Sequence, residues 1–239
     1  MSLFSLTDSA SLWLNLTYLA IILLTLLLAW LTHRSYVLLK EFQPTFNLLL
    51  SPFEFIGRLA LVAICLLLAW LSGLPADQLG LSSANPLRTM GLGLAIGIIV
   101  QIIVNGLTGW AIHRFGRQIY SPVVIRNILP RHPSEWIWVV LALVPAVGME
   151  ELLFRTLWLG VFGAMVPNVV LVFITSVIFG FMHQPQGLLG MLVAGTINIL
   201  FSILFIGSGE LLLPFTAHYV INLLQLIVAY RQREWLENY

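Results

Sequence analysis

Charge is what this sequence has least of. Only 9% of its 239 residues are Asp, Glu, Lys or Arg, and the mean hydropathy is +0.97. An ordinary soluble domain carries about 25% charged residues, so a soluble globular protein is excluded and a chain built for lipid remains. The few charges nearly cancel, 11 basic against 10 acidic. No basic patch interleaved with aromatics occurs, which argues against nucleic acid as a partner. Cysteine is almost missing too. Cys65 stands alone inside an apolar run, so neither a disulfide framework nor a thiolate metal site can be built. A small apolar filler is its expected role. Internal repeats, low-complexity tracts and a His-Glu-x-x-His zinc motif are also lacking. Residues 1–11 hold Asp8 but no Lys or Arg ahead of the first apolar run. A cleavable signal peptide is therefore not expected, and that run reads as a retained span.

What the chain has instead is long apolar segments. About 20 apolar residues cross the hydrocarbon core. Seven stretches qualify: 12–31, 53–73, 90–110, 136–162, 167–183, 187–206 and 212–230. The expected fold is an all-α polytopic transmembrane helical bundle of about seven spans. The connection at about 111–135 leaves room for an eighth, interfacial helix. Turn-rich breaks such as Gly73-Leu-Pro-Ala-Asp77, Pro130-Arg-His-Pro133 and Gln184-Pro-Gln-Gly187 separate the spans. Arg34, Lys40, Arg58, Arg114, Arg117, Arg126, Arg131, Arg231 and Arg233 fall on one side, and Arg88 alone on the other. The positive-inside rule then predicts an N-out, C-in multi-pass protein of the plasma (inner) membrane. Trp13, Trp30, Trp70, Trp110 and Trp136 sit near span ends, where interfacial anchors belong.

Against this background six polar residues stand out. Glu150 and Glu151 are adjacent in the fourth span, and Arg155 follows one turn later. Each charge at mid-helix costs roughly 2.5–3.5 kcal/mol on an insertion scale, so three together need partners and a task. Glu151 and Arg155, at i and i+4, pair on one face, whereas Glu150 points about 100° away and is left to face a cavity. His183 closes the fifth span, one turn after Phe179, and His218 and Asn222 open the seventh at i and i+4. The other histidines, His33, His113 and His132, fall in loops. Pro167 marks the turn between the fourth and fifth spans, midway between Glu150 and His183. In an antiparallel hairpin those two are level. His218 fits less well: straight ideal spans leave it on the order of 20 Å from the depth of His183. Only a tilted sixth span, or a connection at Gly207–Leu213 that dips inward, would close that gap.

Each residue has a plainer alternative. Glu151–Arg155 reads equally as a packing ion pair, and a lone intramembrane His as an interhelical hydrogen-bond donor. A proton- or cation-conducting transporter would also bury ionisable residues, but along a path and often with repeats. A peptide-binding membrane protein without catalysis is a further alternative. Packing alone needs no free second carboxylate beside two histidines. As chemistry, a carboxylate stripped of water is a better general base. Beside His183, Glu150 could take a proton from water, while His218 and Asn222 donate to an oxyanion. Glu150, His183 and His218 would also serve as a zinc ligand set with water in the open position.

In order and on separate spans, Glu150-Glu151-x-x-x-Arg155, Phe179-x-x-x-His183 and His218-x-x-x-Asn222 resemble the three motifs of the CPBP family of intramembrane proteases. That family includes CAAX prenyl endopeptidases and bacteriocin-processing proteins. The resemblance covers residues 136–230, the expected catalytic core. Residues 1–135 are expected to be motif-free N-terminal spans and 231–239 a short polar tail. It implies an intramembrane endopeptidase acting on membrane-associated, lipidated or tagged polypeptides. Its catalytic set would be Glu150, Glu151, Arg155, His183, His218 and Asn222. A metal-free glutamate mechanism without cofactor is favoured over the zinc alternative. One departure is Thr156, where such proteins often carry Gly after the Arg.

Overall fold

In the computed structural model the described residues are 3–42 and 44–237, with the side chains of residues 3–11, 235 and 237 excepted. The expectation resting on Asp8, and the end of the polar tail at 238–239, lie outside the described residues.

Seven long helices form an antiparallel bundle: α1 (Leu3–Glu41), α2 (Pro52–Leu71), α3 (Pro86–Phe115), α5 (Trp136–Glu151), α6 (Asn168–Met182), α7 (Gly187–Ser208) and α8 (Leu212–Arg231). Two short helices, α4 (Val123–Ile128) and α9 (Arg233–Glu237), lie at the arginine-rich end. Pro52 and Pro86 open their helices at the first turn, where a missing N–H costs nothing. Asn85 caps α3 by accepting the Arg88 N–H at 3.1 Å. Large apolar side chains such as Phe53, Trp70, Leu87, Ile102 and Phe173 point outward, as in a protein whose solvent is lipid.

Six helical stretches are long and apolar enough to cross a membrane, and the expected fifth span, α6, is shorter than the rest. Its 15 residues measure about 22 Å, against about 30 Å of hydrocarbon. The interfacial helix expected at 111–135 is reduced to the six residues of α4.

The fourth span is not one α-helix. After Glu151 the backbone widens into a π-helix over Leu152–Val161. Leu152, Leu153, Phe154, Arg155, Thr156, Leu157, Trp158, Leu159 and Val161 are all buried there, so this helix is packed on every side. Trp158 Nε1 donates to Thr25 Oγ1 of α1 at 3.0 Å. The Thr156 hydroxyl donates to the Leu79 carbonyl at 3.0 Å. Thr156, the departure from the usual glycine, thus ties the π-helix to the loop between α2 and α3.

Close approach is purchased with small residues. A Cβ on Gly93 or Gly97 of α3 would lie 2.9 Å from the Leu213 carbonyl oxygen or 2.7 Å from that of Ala217. The Gly93-x-x-x-Gly97 spacing therefore seats α8 directly on α3, the small-residue packing that replaces hydrophobic drive in lipid. A Cβ on Gly180 would meet the Met191 carbonyl at 2.8 Å, so α6 and α7 are equally tight.

Candidate active site

The depth problem posed by straight spans disappears, and that expectation is corrected. Glu150 lies 14 residues into α5 from the arginine-rich end, and His218 lies 13 residues from the matching end of α8. At 1.5 Å per residue both sit about 20 Å in. The discrepant element is α6. Being short, it stops inside the membrane, and the 117–128 connection covers its end, where the Ser121 N–H donates to the Gln186 carbonyl at 2.9 Å.

The two glutamates then diverge. Glu151 and Arg155 have side chains fully excluded from solvent, with Oε2 and Nε 3.2 Å apart. Arg155 also donates from Nη2 to the Asn198 carbonyl of α7 at 3.2 Å. The guanidinium packs near the rings of Phe179 and Phe201, 6.0 and 5.4 Å from their centroids. Asn198 is held in turn, its amide donating to Ser176 at 3.0 Å and Thr175 at 3.3 Å on α6. Glu150 keeps 27% of its side-chain surface and lines a cavity of about 160 Å³ with His183, Asn222, Gln186 and Gln225.

His218 joins the pair. Its Nδ1 is 2.7 Å from Glu151 Oε1, and its Nε2 is 3.6 Å from Glu150 Oε2. A carboxylate only accepts, so Nδ1 carries a proton. His183 makes its own bond, Nδ1 to the Phe179 carbonyl at 2.8 Å. A carbonyl also only accepts, so Nδ1 donates. In the neutral ring Nε2 is left with its lone pair. The Phe179 ring lies 4.5 Å from that of His183. Asn222 has no hydrogen-bond partner among the described residues and lines the cavity beside Glu150. The i, i+4 spacing of His218 and Asn222 suggested a shared direction, but His218 is buried against the glutamates while Asn222 stays in the open chamber.

Residues 132–224 match the family model described as Type II CAAX prenyl endopeptidase Rce1-like. That stretch of the chain is similar to an Rce1-like protease domain. It contains all seven motif residues, and the match agrees with the resemblance those motifs carry. Comparison with curated proteins and with solved structures gives no match. The match, with six helices long and apolar enough to cross a membrane, fits a multi-pass membrane protein similar to proteases of this type.

Within the matched stretch, sequence reasoning missed Asn198, although an amide at mid-span in an apolar helix was signal enough. It also missed Arg58 and Tyr120, which reach the cavity from outside the matched stretch. Both sit in loops or helix starts, and no motif marks them. Among the described residues no three His, Cys, Asp or Glu side chains are grouped to hold a metal ion. Of the zinc set expected from the sequence, Glu150 and His183 line the chamber, and His218 turns Nε2 toward Glu150 at 3.6 Å.

Proposed function

We propose that this protein is an intramembrane endopeptidase in which Glu150 is the general base for a hydrolytic water. The observation that carries the reading is the split of the Glu150-Glu151 pair, one carboxylate locked by Arg155 and the other open to a chamber with His183. At about 160 Å³ the chamber holds several waters at roughly 30 Å³ each. A water there meets two acceptors, the Glu150 carboxylate and His183 Nε2. Both of its protons are then engaged, and an oxygen lone pair is turned toward an incoming carbonyl.

Attack adds hydroxide to the scissile carbon and moves one proton to Glu150. Asn222, an unpartnered donor in the same chamber, stabilises the oxyanion. Glu150 then returns the proton to the leaving amine as the carbon–nitrogen bond breaks. His218 bridges both carboxylates and positions Glu150, while Arg155 and Asn198 hold Glu151 and therefore His218. In this reading Glu150 activates the water itself, without a metal. Full activity with substoichiometric zinc in the purified enzyme supports this, and strict dependence on added zinc overturns it.

The chamber opens toward the end that gathers the basic residues, which the positive-inside rule assigns to the cytoplasm. In a bacterial cell this is the plasma membrane with the carboxyl terminus inside. Substrates are membrane-associated polypeptides, lipidated or tagged. The test compares mapped protein termini in membranes holding the active protein or its Glu150→Ala form. New termini that vanish with Glu150→Ala are expected. Identical termini in both would overturn the proteolytic reading.

A further inference from the structure

The catalytic chamber is continuous with a second, larger space. Tyr120, Ile125, Gln186 and Gln225 line both, and the second cavity measures about 660 Å³. It lies between α3 and α7, with α8 as its floor, and runs to the arginine-rich end at His113 and Gln232.

Carboxamides predominate on its polar wall, which also holds Thr108, His113, Arg117 and Tyr120. Six carboxamides line the joined cavities: Gln101 and Asn105 from α3, Gln186 before α7, and Asn222, Gln225 and Gln232 from α8. Their positions obey helical spacing, i and i+4 on α3 and i, i+3, i+10 on α8, so each helix turns one face to the cleft. Among the described residues no carboxylate lines the larger cavity. The carboxamides are also under-used. Gln101 is 2% exposed and gives its Nε2 to Asn105 Oδ1 at 2.9 Å, while its Oε1 has no partner. The side chains of Gln186, Asn222, Gln225 and Gln232 have no hydrogen-bond partner among the described residues.

An unpartnered amide at membrane depth is costly, on the order of 1–3 kcal/mol. Three half-buried side chains without partners, Gln186, Asn222 and Gln225, and the orphaned Gln101 oxygen imply a ligand that supplies donors and acceptors alternately. An acyl chain supplies neither, and an ion supplies one kind. A polypeptide backbone supplies both, one N–H and one C=O per residue. A helical substrate keeps these groups for itself, so the ligand must be unwound.

We propose that the α3–α7 cleft binds the substrate polypeptide as an extended segment, its backbone hydrogen-bonded by these carboxamides, leading to the scissile bond at Glu150. The inference rests on the proteolytic reading and adds how substrate is recognised. From Asn222 to Gln232 is ten residues of helix, about 15 Å. An extended chain covers that length in about four to five residues at roughly 3.3 Å each. Selectivity thus falls on a short segment beside the cut that leaves helical structure easily.

The test uses a synthetic peptide spanning a cut mapped by the terminus comparison, in detergent micelles with purified enzyme. Gln225→Leu/Gln232→Leu should raise KM about tenfold or more with kcat retained, because binding common to ground and transition states is removed. Thermal stability should hold or rise, since leucine replaces an amide without a partner. Unchanged KM with lowered stability would show that the carboxamides serve packing and would overturn the proposal. A peptide with helix-breaking Gly pairs within five residues of the cut should be cleaved faster than its Ala counterpart, and the reverse order overturns it as well. Absence of any Glu150-dependent terminus, by contrast, strikes the proteolytic reading itself.

Discussion

Glu150 and Glu151 are chemically identical neighbours in very different surroundings. Glu151 is fully buried and tied to Arg155 and His218, and through Arg155 to α7. Glu150 has one distant contact, His218 at 3.6 Å, and a chamber in front of it. The contrast shows how a membrane protein can afford a reactive carboxylate. The buried side provides an ion-paired scaffold anchored to α7 and α8, and the open side inherits its position without being consumed by bonds of its own. Two carboxylates acquire two roles from environment alone.

The sharpest way to break this comparison is to neutralise each member separately. Glu150→Gln should lower processing by at least 10²–10⁴-fold, the usual contribution of a general base, while the protein accumulates normally. The appearance of Glu150-dependent termini measures it, and near-normal processing would reverse the assignment of roles. Arg155→Ala should act on the other side. Removing one partner of a buried pair costs about 3–5 kcal/mol, so folded yield and thermal stability in detergent should fall together with activity. If Arg155→Ala protein is as stable as the parent, the buried side is no scaffold. A smaller step is Asn198→Leu, which removes the amide bonds to Thr175 and Ser176 but leaves the backbone carbonyl that Arg155 uses. About 1–2 kcal/mol of stability is expected to be lost, with activity reduced only in proportion to folded protein.

The open side was legible in the sequence because its signals are local. Polar residues in apolar runs are conspicuous, and helical spacing separates Glu150 from the Glu151–Arg155 face without any tertiary knowledge. The hairpin register through Pro167 put His183 and Glu150 at one level, and both now line one chamber. What escaped was set by packing between distant segments. The bond from His218 to Glu151 needs α8 to lie against α5, a contact between elements far apart in sequence. No Pro or Gly stands at the start of the π-helix over Leu152–Val161 to mark the change of helix type. The short reach of α6 was hidden because its apolar run continues into His183 and the covering connection lies elsewhere. The seven-segment reading therefore found the right helices and misjudged the depth at which one of them ends.

The last prediction concerns the face opposite the chamber, where a third carboxylate gives a control for the other two. Glu210, between α7 and α8, accepts from Thr89 Oγ1 at 2.6 Å, Ser83 Oγ at 2.7 Å and the Ala84 N–H at 3.3 Å. The Thr89 and Ser83 hydroxyls hold its carboxyl below the ordinary value of 4.5. A folded-state value below the unfolded one means these bonds contribute fully above the unfolded value. They are lost as pH falls through the folded value. Wild-type stability should therefore decline below about pH 4.5 partly through this site, and Glu210→Gln should flatten that part of the profile. At neutral pH the variant should lose a little stability and no processing, because Glu210 is partly exposed and far from the chamber. Thermal unfolding across pH, paired with terminus mapping at pH 7, separates the outcomes. Loss of processing in Glu210→Gln would mean that the two faces of the bundle are coupled, and that Glu150 does not owe its position to the buried pair alone.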